Sequence, residues 1–180
     1  MSHYLHTLLK AIDLQVRSGL ANPEIKNLSC DSRKIEKGDL FLGLDGEKVD
    51  GGTYWAKAIE RGACAAIISK KASLSNPPTY ADPVVIIPDP VSLFMGKFAA
   101  EFWGKPSSET SLIGITGTNG KTTTSFLIEF LTASLGHPSA LFGTIINRWP
   151  SHEETSNIQQ LLRFLCRHNL GKSFRQELNL

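Results

Sequence analysis

Ser111–Thr124, SLIGITGTNGKTTT, sets a short apolar run, a glycine turn and a Lys-Thr pair directly before a helical pattern. Leu112, Ile113 and Ile115 predict a buried strand, and Phe126, Leu127, Phe130, Leu131 and Leu135 recur at the spacing of one helix face. A strand that feeds a helix through glycine is a phosphate cradle. Backbone N–H groups of the turn and the positive end of the helix can bind several phosphate oxygens without a side chain for each. On this reading Gly117, Thr118, Asn119, Gly120, Lys121, Thr122 and Thr123 hold ATP. Lys121 reaches the β and γ phosphates as a point charge, and the Thr122 hydroxyl ligates a bridging Mg2+. These two are the catalytic candidates, and Thr122 is the metal ligand. The strict pattern G-x-x-x-x-G-K-[ST] wants glycine at 115, where this chain has Ile115 between Gly114 and Gly117, so the match is a variant. An ordinary turn before an ordinary helix start is the plain alternative, and the strand-turn-helix setting argues against it.

Around that stretch, 180 residues are enough for one full domain, or for a small domain and part of another. A net charge of +2 with mixed signs makes no broad basic face, which argues against nucleic acid and for small-molecule partners. Cys30, Cys64 and Cys166 are odd in number and lack metal-ligand spacing, and the histidines are scattered, so no metal is assigned to either. The start of the chain carries no signal-peptide pattern, and no apolar run is long enough to span a bilayer. The expectation is a cytosolic protein, monomeric, with neither a membrane nor a nucleic-acid partner.

Before the phosphate loop, Leu5, Leu8, Leu9, Ile12 and Val16 share one helical face, closed by Gly19 and Asn22-Pro23. Leu28–Arg33 and Leu40–Leu44 predict two strands flanking one turn. A loop around Glu47, Lys48 and Val49 leads to a helix holding Tyr54, Trp55, Ala58 and Ile59 that Gly62 stops. Ala63–Ser69 and Val84–Ile87 predict buried strands, separated by a polar, proline-bearing loop over Ala72–Pro83. Asp89 is a candidate N-cap with Pro90 at the first helical position, and Val91, Phe94, Met95, Phe98 and Phe102 form the face of the helix that follows. The pattern is α/β: a small mixed α/β domain over 1–106, a linker GKPSSET at Gly104–Thr110, and the start of a P-loop domain over 107–180. Ala140–Phe142 predicts the strand that completes a βαβ unit after the P-loop helix. Pro150–Asn157 is polar, and Ile158, Leu161, Leu162 and Leu165 predict a tail helix flanked by Arg163 and Arg167. One βαβ unit cannot bury both faces of a parallel sheet, so the second domain reads as incomplete.

Two blocks carry a family resemblance: CDSRKIEKGDLFLGLDGEKVDGGTYWAKAIERGACAAI at Cys30–Ile67 and GITGTNGKTTTSFLIEFL at Gly114–Leu131, with Leu-Phe-Gly-Thr-Ile at Leu141–Ile145. Over about Leu28–Pro150 the chain resembles the N-terminal portion of a Mur ligase, in the tripeptide-forming branch. The resemblance implies a Rossmann-like N-terminal domain that holds the uridine nucleotide of the substrate. Cys30 and Ser32 in the Asp-Ser-Arg turn and Glu47, Lys48 and Val49 in the next loop are then the substrate-binding residues. Read without the family, Ser32 caps a turn, Lys48 is a solvated lysine, and Asp31 pairs with Arg33. The implied reaction is ATP-dependent amide ligation in peptidoglycan precursor synthesis, and so in cell-wall growth, cell shape and division. ATP phosphorylates the carboxylate of UDP-N-acetylmuramoyl-L-Ala-D-Glu, and diaminopimelate or lysine displaces phosphate from the acyl phosphate.

The chain departs from the family after about residue 151, where Glu154-Thr155-Ser156-Asn157 replaces the expected Thr-Thr-Pro-like segment. The expectation is therefore a divergent tail and an N-terminal fragment that is inactive alone. Two other functions compete: a non-catalytic nucleotide-binding module whose basic tail docks on a partner, and a P-loop GTPase or kinase. The absence of an Asn-Lys-x-Asp guanine reader weakens the second. A different Mur-like ligase is a lesser alternative.

Overall fold

The computed structural model describes residues 3–155 apart from 45, 47, 48, 89, 90, 106, 107, 109 and 151. The expectations for Asp89, Pro90 and the tail helix lie outside the described residues. These residues divide into two compact units, one ending at Gly104 and one starting at Lys105.

The first unit is built on four parallel strands, β1 Asn27–Ser29, β2 Asp39–Leu42, β3 Ala65–Ser69 and β4 Val84–Ile87, in the order β1-β2-β3-β4. The register sets Leu28 beside Leu40, Phe41 beside Ala66 and Ile67 beside Val85. Every residue of β2 and β3 is buried, which is what an unbroken apolar run predicts for a sheet covered on both faces. Alternation along the strands sorts the side chains into two cores. Leu40, Leu42, Ala65, Ile67, Val85 and Ile87 pack with α1 Leu5–Ala11 and α4 Val91–Phe102. Phe41, Ala66, Ile68 and Val84 pack with Trp55 and Ala58 of α2 Trp55–Glu60 and with Ala72 of α3 Lys70–Ser75. A sheet between two helical layers results.

Several local expectations are corrected. The strand candidate at Leu28–Arg33 ends at Ser29, the apolar run Leu40–Leu44 is strand only to Leu42, and the two pair in parallel. Helix α1 stops at Ala11 instead of reaching Val16, because Asp13 takes a left-handed φ of 61° and Leu14 N turns back to Leu9 O at 2.9 Å. Asp tolerates that conformation better than most residues. The start of the predicted loop 72–83 is helical: Ser69 caps α3 by accepting a hydrogen bond from Ala72 N at 2.7 Å.

The second unit contains α5 Lys121–Ser134 and an antiparallel meander of β5 Leu141–Phe142, β6 Ile146–Trp149 and β7 His152–Thr155. The strand expected at Leu112–Ile115 does not form, and Leu112 and Ile113 are 74% and 63% exposed. A strand exists only through a neighbour's hydrogen bonds, and no described strand supplies them. For the same reason the βαβ unit is not made: β5 pairs with β6 in an antiparallel sense. The polar stretch after Pro150 becomes β7, paired to β6 from Ile146–Thr155 to Trp149–His152. Arg148 ties α5 to this meander, with Nη1 3.2 Å from Glu129 Oε2, Nε 2.8 Å from Glu153 Oε2 and the guanidinium over the Phe126 ring.

Candidate functional site

In the second unit, the stretch 117–120 turns the chain into α5 through two glycines with positive φ, Gly117 at 144° and Gly120 at 77°. Gly120 is the N-cap residue, and a Cβ there would meet nothing within 4 Å. The backbone conformation, not crowding, is what selects glycine. The first intrahelical bond is made by Thr124 N to Gly120 O at 2.9 Å. The amides of Lys121, Thr122 and Thr123 therefore precede the helical ladder and face outward from its positive end. Lys121 Nζ donates to Gly117 O and, at 3.3 Å, to Thr118 O. Its ammonium is thus folded over the loop, and a bound phosphate would replace carbonyl oxygens as its acceptor. Thr118, Asn119 and Thr123 are exposed and Thr122 is half-buried. Among the described residues no group of three His, Cys, Asp or Glu could hold a metal ion. A magnesium ion at this loop would rest on Thr122 and phosphate oxygens.

In the first unit, adjacent parallel strands bring the turn after β1 and the loop after β2 to one edge of the sheet, its carboxyl edge, where open α/β sheets bind ligands. Cys30 and Ser32 are half-buried in the first, and Val49 is exposed in the second. Glu47 and Lys48 lie outside the described residues. Asp31 and Arg33 do pair: Arg33 Nε and Nη2 each stand 2.9 Å from an Asp31 oxygen, and Arg33 N donates to Oδ1 at 3.0 Å. The Arg33 hydrogen bond holds the Asp31 carboxyl down to about 2. This leaves Ser32 at the apex of a turn braced by its two neighbours. Cys30 and Cys64 are both free thiols. Burial pushes the Cys64 thiol up, and its Sγ donates to Gly38 O at 3.4 Å.

Two residues that the sequence did not single out sit beside this edge. Asp50 and Ser69 are buried and hydrogen-bonded to each other at 2.5 Å. The Ser69 signal was a serine at the end of an apolar run with a backbone amide to cap three positions on. Asp50 had no comparable signal, because its second partner is nineteen positions away.

Residues 24–103 match the family model described as Mur ligase family, catalytic domain, a stretch that ends before the glycine turn at 117–120. The UDP-N-acetylmuramoyl-L-alanyl-D-glutamate--2,6-diaminopimelate ligase of Prochlorococcus marinus (strain NATL2A) is 89% identical over 156 residues, 87% of this chain and 31% of that protein. Residues 24–103 are a Mur ligase family domain. The ligase of the same name from Synechococcus sp. (strain WH7803) is 50% identical over 156 residues, again 87% of this chain and 31% of the relative. Among solved structures, a UDP-N-acetylmuramoyl-L-alanyl-D-glutamate--2,6-diaminopimelate ligase superposes with a TM-score of 0.64 over 99% of this chain and 34% of its own. At 21% identity it speaks for the fold alone. A MurF structure from Acinetobacter baumannii gives a TM-score of 0.52 at 25% identity, covering 75% of this chain and 28% of that one. The chain spans about a third of the length of the curated relatives it matches.

Proposed function

We infer that this chain carries two parts of an ATP-dependent ligase that joins 2,6-diaminopimelate to UDP-N-acetylmuramoyl-L-Ala-D-Glu in the cytoplasm. The parts are a UDP-sugar-binding domain over 1–106 and the beginning of an ATP-binding domain from 107. Diaminopimelate, rather than lysine, is chosen because it is the amine in the names of the relatives cited above. The observation that carries the reading is the turn at Gly117–Gly120, with its ammonium at Lys121 and its open amides at 121–123. When bound, Mg-ATP would supply the phosphoryl group that activates a carboxylate for attack by an amine.

The chain's own contribution is positioning and charge neutralisation. The amides of 121–123 hold phosphate oxygens, Lys121 offsets the charge that spreads over the transferring group, and Thr122 offers its hydroxyl to magnesium. At the first unit's carboxyl edge, Ser32 and the loop at Val49 grip the uridine nucleotide, with Cys30 lining the turn.

Because the chain spans about a third of the relatives' length, the test reads binding rather than turnover. Calorimetry should show uptake of Mg-ATP that Lys121→Ala weakens, and separate uptake of UDP-N-acetylmuramoyl-L-Ala-D-Glu that survives the same substitution. No uptake of either ligand by folded protein would sink the reading. Tripeptide formation by this chain with ATP, magnesium and diaminopimelate is expected to be undetectable.

A further inference from the structure

The backbone leaves β2 at Gly43 and comes back to nearly the same point at Gly52. Gly51 N donates to Leu44 O and Gly43 N to Ile67 O, both at 2.9 Å. The two ends are so close that a Cβ on Gly43 would lie 2.3 Å from Gly52 Cα. In this neck sits Asp50, 7% exposed. Its Oδ1 accepts Gly52 N at 2.8 Å, the ordinary cap of the 3-10 turn over Gly51–Tyr54. Its Oδ2 does something a cap does not need: it accepts the Ser69 hydroxyl at 2.5 Å from the end of β3. Ser69 Oγ in turn accepts Ala72 N at 2.7 Å. The neck of the loop, the sheet and the start of α3 are thereby joined by one chain of buried hydrogen bonds. A carboxylate this buried is costly unless each oxygen is engaged, so the arrangement has few alternatives of similar energy. The residue directly before Asp50 is Val49, 53% exposed at the carboxyl edge.

We propose that Asp50 and Ser69 are positioning residues for a uridine diphosphate group, holding Val49 at a fixed place on the carboxyl edge beside the Cys30–Ser32 turn. The proposal rests on the first unit being the UDP-sugar site. Neither residue touches the ligand; each acts through the backbone of the neck. Ser69→Ala deletes the hydroxyl, leaving Oδ2 and Ala72 N without it. Asp50→Asn keeps the shape and the bond to Gly52 N but turns an N–H toward the Ser69 oxygen.

The test titrates the 180-residue chain and both variants with UDP and with UDP-N-acetylmuramoyl-L-Ala-D-Glu, and follows amide exchange at Gly51 and Gly52. Each variant should bind both ligands about tenfold more weakly, by the same factor, the scale of one lost buried hydrogen bond. Exchange at the two glycine amides should accelerate to a similar degree. A purely structural role would lower the melting temperature while the folded protein kept its affinity, and that result overturns the proposal. So does a loss confined to the dipeptide ligand with UDP unaffected. Wild-type protein that binds neither ligand removes the functional reading itself, whereas wild-type binding that survives both substitutions removes only the positioning role. If Ser69→Ala does not fold, the isosteric Asp50→Asn decides.

Discussion

In the first unit an apolar strand, β4, runs into α4, whose Val91, Met95, Phe98 and Phe102 are all at most 3% exposed. In the second, an apolar run at 112–115 leads through a glycine turn into α5, where Leu127, Phe130 and Leu131 stay 56%, 68% and 58% exposed and no residue is buried. The two helices have the same kind of apolar stripe. They differ in their neighbours: β4 is bonded to β3 within a sheet that offers a continuous apolar face, whereas no described strand pairs with 112–115. An amphipathic pattern is enough to make a helix, but burial is made by whatever lies opposite it.

Truncating one buried and one exposed side chain should separate the two helices most widely. Phe98→Ala should cost about 3–5 kcal/mol in denaturant unfolding, and Leu131→Ala less than about 0.5 kcal/mol. Equal costs would mean that the two helices are packed alike. Next in size is Lys121→Ala, which removes a charge-assisted contact of about 1.5–3 kcal/mol and should weaken Mg-ATP about 10- to 100-fold by calorimetry. The unfolding of the first unit should not change with it.

A smaller effect is expected from Leu127→Glu with Phe130→Glu. Exposed apolar patches favour association, so light scattering and binding of a hydrophobic dye should both fall, with the helical circular dichroism signal retained. Persistence of dye binding would show that this stripe is not the exposed surface. The smallest effect concerns Asp31. Its folded pKa, about 2, lies below the ordinary carboxylate value, so the pair with Arg33 contributes stability above about pH 4. That contribution is lost as pH falls through the folded value. Arg33 is 83% exposed, so solvent screens the pair and its weight is small. An NMR titration of the Asp31 carboxyl should find the low midpoint in the wild type and a return toward the ordinary value in Arg33→Ala.

Much of the first unit could be read directly. The runs Leu40–Leu42, Ala65–Ile68 and Val84–Ile87 are strands because short unbroken apolar runs, β-branched or small in the last two, suit a parallel sheet with helices on its faces. The turn at Gly117–Gly120 was legible because its glycines are required by backbone conformation, which is local. The error at Leu112–Ile115 came from the opposite situation: an apolar run specifies a capacity to pair, and the partner has to be present for a strand to exist. Missing α3 had a smaller cause, a six-residue helix held by one cap and the packing of Ala72 rather than by a periodic stripe.

By itself, then, the sequence determined the elements with local causes: the helices with apolar stripes, the braced Asp31–Arg33 turn and the glycine turn at 117–120 that leads into α5. Tertiary structure alone decided the parallel pairing across residues 30–38, the exposure of α5 and the bond from Asp50 to Ser69. The physical reason is range. Backbone preference and side-chain periodicity act over a few residues, whereas pairing, burial and the satisfaction of a buried carboxylate depend on groups that the chain brings together only when it folds.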